Sequence, residues 1–199
     1  FDPDLDKLIR LDGKVALVTG GSRGMGRSSA RHLAAAGAKV GVNYVSNQEA
    51  AAQVVRDIEK MGSEALAIQA DVGNRRQVQG MVDTMLEKFG HIDILVHAAG
   101  IADRGGFWEC SEEDWHKVMT NHLDSTFFLC QRVAKHMKER KTGRIIIFSS
   151  ITATKGANAY AAAMGAKITF SRGLAEILAP YNIAVNTVSP GQIFTDMLK

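Results

Sequence analysis

The stretch KVALVTGGSRGMG, residues 14–26, runs from a short apolar segment through a cluster of glycines into a segment of helical composition. KVALVT (14–19) reads as a buried strand, because four to six apolar residues bounded by a turn signal suit a strand covered on both faces. Gly20 can take the turn that follows, and Gly24 and Gly26 allow the backbone to approach a ligand closely. A helix opening at this point presents free N–H groups and a partial positive charge to an anion such as a pyrophosphate. The same glycines would equally serve a tight strand–helix turn with no ligand, so the surrounding elements decide between the two readings.

Outward from this turn, strand-like and helix-like segments alternate. A helix is expected from about 26 to 36, then a strand over AKVGVNY (38–44) and a helix over 48–61 with Ala51, Val54, Val55 and Ile58 on one face. EALAIQA (64–70) reads as a strand. The helix at 75–89 carries Val78, Met81, Val82, Met85, Leu86 and Phe89 at steps of three and four. Gly37, Gly62 and Gly90 stand where these three helices should stop. IDILVHA (92–98) is a fourth strand. A long helical region over about 111–140 opens with the capping-box-like Ser111-Glu112-Glu113-Asp114. GRIIIFSS (143–150) is a fifth strand, 158–179 a helix ended by Pro180, and IAVNTVSP (183–190) a sixth strand. Six strands separated by helices predict an α/β fold, a Rossmann-type doubly wound parallel sheet with helices on both faces. No linker or low-complexity tract divides the chain, so residues 1–199 are expected to form a single domain. In this setting the glycine turn favours dinucleotide binding.

Composition narrows the function classes. A net charge of +3, with the basic residues scattered, gives no support to a nucleic-acid or membrane-surface partner. Cys110 and Cys130 have no metal-ligand or redox spacing, so no metal site is expected and a reduced, cytoplasmic chain fits best. No apolar run has membrane-spanning length. The opening FDPDLDKLIRLDG is charged and does not read as a signal peptide.

The spacing TGxxxGxG differs from the commoner GxGxxG and resembles that of the short-chain dehydrogenase/reductase family. The resemblance covers almost the whole chain: Asp71-Val72 after the third strand, HAAG (97–100) after the fourth, Asn121 in VMTNHLDSTFF, Ser150 ending the fifth strand, Tyr160 opening the next helix, and SPGQIFTDM (189–197). Its segments show a diffuse likeness to the 3-oxoacyl-[acyl-carrier-protein] reductase-like members. The resemblance implies an oxidoreductase that moves hydride between a nicotinamide and a carbonyl or secondary alcohol. Tyr160 would be the general acid/base, Ser150 would hold the substrate oxygen, and Asn121 would support the proton relay. It implies a cofactor-binding set of Gly20, Ser22, Arg23, Gly24, Met25 and Gly26 from the turn, with Asn43, Tyr44 and Ser46 from the end of the second strand. Asp71, Val72, Ala98, Ala99, Gly100, Tyr160, Pro190, Gly191, Ile193 and Thr195 complete that set. A homotetramer or homodimer built on helices 111–140 and 158–179 is implied as well.

An acidic residue at the end of the second strand would hold the ribose hydroxyls of NAD and repel a 2′-phosphate. Residues 40–47 contain none; Tyr44 stands there, and Arg23 adds a cation, so NADP(H) is expected in preference to NAD(H). Three positions depart from the family pattern. Met164 occupies the place of the lysine four residues after the tyrosine, roughly 6 Å along the same helix face. Lys167 shares that face about 10 Å along, too far to substitute without rearrangement. Met164 leaves a second reading open, a nucleotide-binding scaffold or sensor with little turnover. Ser150 and Tyr160 are closer in sequence than in most family members, and His97 replaces an asparagine, for which a packed strand-end role is expected. The lid, last helix and last strand of the family are expected to lie outside the sequence, after Lys199, and the short Ser150–Tyr160 spacing is read either as a shortened loop or as residues absent from the sequence.

Overall fold

A computed structural model describes residues 9–102 and 105–195 of the chain. Its elements are β1 (Val15–Thr19), α1 (Gly24–Ala35), β2 (Lys39–Tyr44), α2 (Gln48–Lys60), β3 (Ala65–Gln69), α3 (Arg75–Phe89) and β4 (Ile94–His97). They continue with α4 (Glu112–Met119), α5 (Ser125–Arg140), β5 (Gly143–Phe148), α6 (Ala159–Leu178) and β6 (Ile183–Val188). The six strands form one sheet in the order β3-β2-β1-β4-β5-β6, every pair parallel. This is the expected doubly wound topology. Each predicted strand and helix is present, with ends shifted by a few residues.

Burial on both faces explains why the strands read as apolar runs. All five residues of β1 are buried. One core packs Leu17, Leu95, Ile145 and Ile147 against Val78, Met81, Val82 and Met85 of α3 and Leu129, Val133 and Met137 of α5. The opposite core packs Ala16, Val18, Val40 and Val42 against Ala30 and Ala34 of α1 and Ala51, Val54 and Ile58 of α2. Gly37, Gly62 and Gly90 all have positive φ at the helix ends, as the sequence indicates. No helix among the described residues is long and apolar enough to cross a membrane.

Below the sheet, Asp93 clamps three elements. Its carboxylate accepts from the Val15 amide at 2.9 Å and from Arg140 Nη1 at 3.0 Å, and it lies 3.1 Å from His91 Nε2. This fixes β1 against β4 and the end of α5. It leaves the C-terminal strand ends, at the β1/β4 reversal of strand order, as the place for a ligand.

The region 111–140 departs from its expected form. Between α4 and α5, Thr120–Asp124 forms a π-helical turn, so one continuous rod contains an extra residue in one turn.

Candidate active site

The glycine turn is built for close approach. Gly20 and Gly24 have φ of +62° and +53°. A Cβ on Gly26 would lie 2.2 Å from the Gly20 carbonyl oxygen, so a side chain there would collapse the turn. The N-termini of α2, α3, α4 and α6 are capped by Asn47, Asn74, Ser111 and Asn158, whereas α1 has no side-chain cap and no acid in its first turn. Its first amides therefore suit an external anion, and the residues present fit the diphosphate of a dinucleotide.

Contacts then run in a ring around the strand ends. A Cβ on Gly20 would meet Ala99 Cα at 2.8 Å, so the turn rests on the Ala98–Ala99 backbone after β4. A Cβ on Gly100 would meet the His122 ring at 2.4 Å. His122, 3% exposed in the π-turn, stacks edge-to-face on Tyr160 with ring centroids 5.2 Å apart. Tyr160 is reached by a hydrogen bond from Ser150. After Ser150, the Ile151 amide donates to the Pro190 carbonyl at 3.1 Å, and Gly191 lies against the Ile151 side chain. The chain from Pro190 returns to the start, because Thr195 Cγ2 lies 3.4 Å from where a Cβ on Gly24 would sit. Gly20, Gly24, Ala98, Ala99, Gly100, Ser150, Tyr160, Pro190, Gly191 and Thr195 thus share one rim, with Ser22 and Met25 half-buried and Arg23 exposed on the turn.

Other expected residues have different placements. The Asn43 side chain is buried: Oδ1 accepts from the Gly20 amide at 3.2 Å, and Nδ2 donates to the Ala70 carbonyl at 2.9 Å. It holds the turn to the β2–β3 edge. Tyr44 is 7% exposed and packs in the core, while Ser46 is exposed and Val72 is buried. The Asp71 carboxylate accepts from the Gly73 amide at 2.9 Å. Ile193 is exposed. Asn121 Nδ2 donates to the Lys117 carbonyl at 3.0 Å, and the Asn121 carbonyl accepts from Ser125 Oγ at 2.6 Å. The inward position of the π-turn belongs to the next residue, His122.

His97 has a fully assigned set of partners. Ser125 Oγ donates to the Asn121 carbonyl at 2.6 Å, so it accepts from His97 Nε2, 3.1 Å away. Thr19 Oγ1 accepts from the Ala99 amide at 3.3 Å and turns its own proton to His97 Nδ1, 2.8 Å away. This pattern needs a neutral imidazole. Full burial, with Lys167 and His122 adding to it, holds the ring well below its ordinary proton affinity. His97 is therefore a brace between β1, β4 and the π-turn, the packed strand-end role its position suggests.

The environment of Tyr160 is set by α6. Asn158 caps the helix by accepting from the Ala161 amide at 2.9 Å, and Ser149 Oγ donates to the Met164 carbonyl at 2.9 Å. Met164 is 1% exposed and packs with Val118, Ala159 and Ala163, with Tyr160 at the margin of that cluster. Burial pushes the Tyr160 phenol up from its ordinary value, and the Ser150 hydroxyl opposes this. Lys167 is 1% exposed, and its charge acts on Cys130 and His97.

Comparison with known proteins agrees with this geometry. The family described as short chain dehydrogenase matches residues 14–199. The 3-oxoacyl-[acyl-carrier-protein] reductase of Synechocystis sp. is 42% identical over 194 residues, which span 96% of this chain and 78% of that reductase. A probable tetrahydroxynaphthalene reductase of Zymoseptoria tritici is 43% identical over 192 residues, 94% of this chain and 71% of that protein. A crystal structure of a short chain dehydrogenase from Burkholderia cenocepacia in complex with NADP superposes with a TM-score of 0.89 at 40% identity, covering 94% of this chain and 78% of that one. The chain belongs to the short-chain dehydrogenase family, oxidoreductases that act on carbonyl and alcohol groups.

Proposed function

We propose that this chain is an NADP(H)-dependent reductase of a small-molecule ketone or aldehyde, with Tyr160 as the general acid. The observation that carries the reading is the closed ring of contacts from the glycine turn through Gly100, Tyr160, Ser150 and Pro190 back to Gly24. A bound nicotinamide would supply the hydride. The uncapped first turn of α1 would hold the diphosphate, and exposed Arg23 beside it would favour a 2′-phosphate. Ser150 Oγ would donate to the substrate oxygen. Tyr160 Oη would then give that oxygen its proton. The phenol carries its proton at neutral pH; burial weakens it as an acid and the Ser150 hydroxyl opposes this. The reading includes a self-association through α4, α5 and α6, where Phe127 is exposed and Trp115 is exposed at a cleft of about 620 Å³ that Ala162 and Gly165 also line. Two free cysteines suit a cytoplasmic setting.

The test is NADPH consumption with a panel of ketones and aldehydes, alongside NADPH and NADH binding titrations. Turnover is expected, with NADPH bound more tightly and kcat reduced at least about 100-fold in Tyr160→Phe. Equal binding of NADH would overturn the cofactor preference. Tight NADPH binding without turnover would favour the second reading, a nucleotide-binding scaffold, which rests on Met164.

A further inference from the structure

We propose that His122 is the positioning residue for Tyr160, an imidazolium that places beside the phenol the positive charge Met164 cannot supply; the proposal rests on the reductase reading above. The π-turn Thr120–Asp124 directs His122 inward. Its backbone is pinned, since Thr126 Oγ1 donates to the His122 carbonyl at 2.6 Å and Ser125 Oγ to the preceding Asn121 carbonyl at 2.6 Å. The ring fills the space above Gly100, where a Cβ would strike Cε1 at 2.4 Å. On one side, Nε2 lies 2.9 Å from the Ile101 carbonyl oxygen and 3.3 Å from the Ile101 amide nitrogen, so it donates to the carbonyl when it carries a proton. The shorter contact to the carbonyl favours a proton on Nε2, and in the imidazolium proposed here Nδ1 carries the second proton. On the other side, the ring meets Tyr160 at 5.2 Å and an interplanar angle of 87°.

The titratable groups around it are Tyr160 and Lys167 on α6, His97 on β4 and Asp124 within its own turn, with Asp71 close to Thr120. His97 is held neutral by its hydrogen bonds, so it neither competes for nor cancels a charge on His122. During reduction the Tyr160 O–H bond breaks as the alcohol O–H bond forms, and negative charge gathers on Oη. An imidazolium against the ring stabilises that charge, and a neutral imidazole does not. Solvent returns the proton to Tyr160 after turnover.

Two measurements on the intact protein test this. The first is kcat for ketone reduction from pH 5 to 9. In the parent it is expected to fall about tenfold as the pH rises through a histidine titration. In His122→Gln and His122→Asn that limb should vanish, with kcat low at all pH values and NADPH affinity retained. The second is a ring-nitrogen NMR titration of the parent, in which His122 Nδ1 should protonate over the same pH range as the limb. A limb that persists in both variants, a flat parent profile, or a His122 ring that stays neutral down to pH 5 would each overturn the proposal. Loss of kcat by an equal factor at every pH, from a parent with a limb that the variants keep, would mean packing alone. A parent without turnover on the whole panel would overturn the reductase reading and this proposal with it. If neither variant folds, the ring titration of the parent decides.

Discussion

Met164 lies one helical turn after Tyr160, fully buried against Val118, Ala159 and Ala163. A thioether brings polarizable bulk and no charge, so the phenol beside it sits in a largely apolar wall, and its proton affinity is raised by burial. A cation roughly 6 Å away is worth about 3 kcal/mol to a phenolate at an effective dielectric of about 20. Met164→Lys is therefore expected to lower the Tyr160 pKa and to raise turnover with NADPH and a generic ketone by roughly tenfold or more. Stopped-flow or steady-state NADPH absorbance checks this. No gain from an active parent would mean that the charge is already supplied, as it is if His122 carries it. The tyrosine, serine and methionine at these positions are all legible in the sequence, because each is fixed by its distance from a strand end or a helix start. The packed strand-end role of His97 is legible too, but its partners are not. Its neutral, braced form depends on Thr19 and Ser125, 78 and 28 residues distant, which meet it only in the folded sheet.

At the scale of elements, the rod α4–α5 shows where a periodic reading loses its register. Apolar spacing over 111–140 correctly indicates a continuous helix, but an i→i+5 turn at Thr120–Asp124 adds a residue without disturbing the pattern on either side. Within this turn the Asn121 side chain donates to the Lys117 carbonyl and the His122 ring meets Tyr160. No local preference of Thr-Asn-His-Leu-Asp announces this turn. It is held by Ser125 and Thr126, whose hydroxyls occupy the carbonyls of Asn121 and His122. The same rod carries Trp115 and Phe127 into solvent at 41% and 40% exposure, and Phe127 meets Phe170 of α6 at 6.3 Å. An apolar face of this kind suits an interface between copies. Light scattering after size exclusion is expected to give a dimer or tetramer for the parent and a single-chain mass for a Trp115→Asp, Phe127→Asp double variant. A monomeric parent would remove the self-association from the functional reading.

For the whole molecule, Lys167 is a net cost that the fold carries at neutral pH. It is 1% exposed, and burial pulls its pKa from 10.5 to about 8. The unfolded chain therefore binds the proton more tightly, and this group's penalty, about 3 kcal/mol, is full below pH 8 and relieved as the pH rises through the folded value. The buried Cys130 thiol, pushed up to about 12 from 9.0, works in the opposite sense above pH 9, where the unfolded chain ionises first. Stability in urea should consequently rise by about 1 kcal/mol between pH 7 and 9. In Lys167→Met that rise should disappear, and stability at pH 7 should increase by about 2–3 kcal/mol. A parent whose stability is flat over this range would mean that Lys167 stays charged in the folded state. The sequence by itself determined the element order, the parallel sheet and the glycine turn, because apolar periodicity and helix stops are local and β1 carries its own burial pattern. It also placed Ser150 and Tyr160 at the ends of their elements. Only the tertiary structure decided that Asn43 braces the turn, that His97 is a neutral strut between Thr19 and Ser125, that the His122 ring meets Tyr160, and that Lys167 faces Cys130. Those outcomes depend on partners distant in sequence and on one extra residue in a helical turn, and neither leaves a periodic trace.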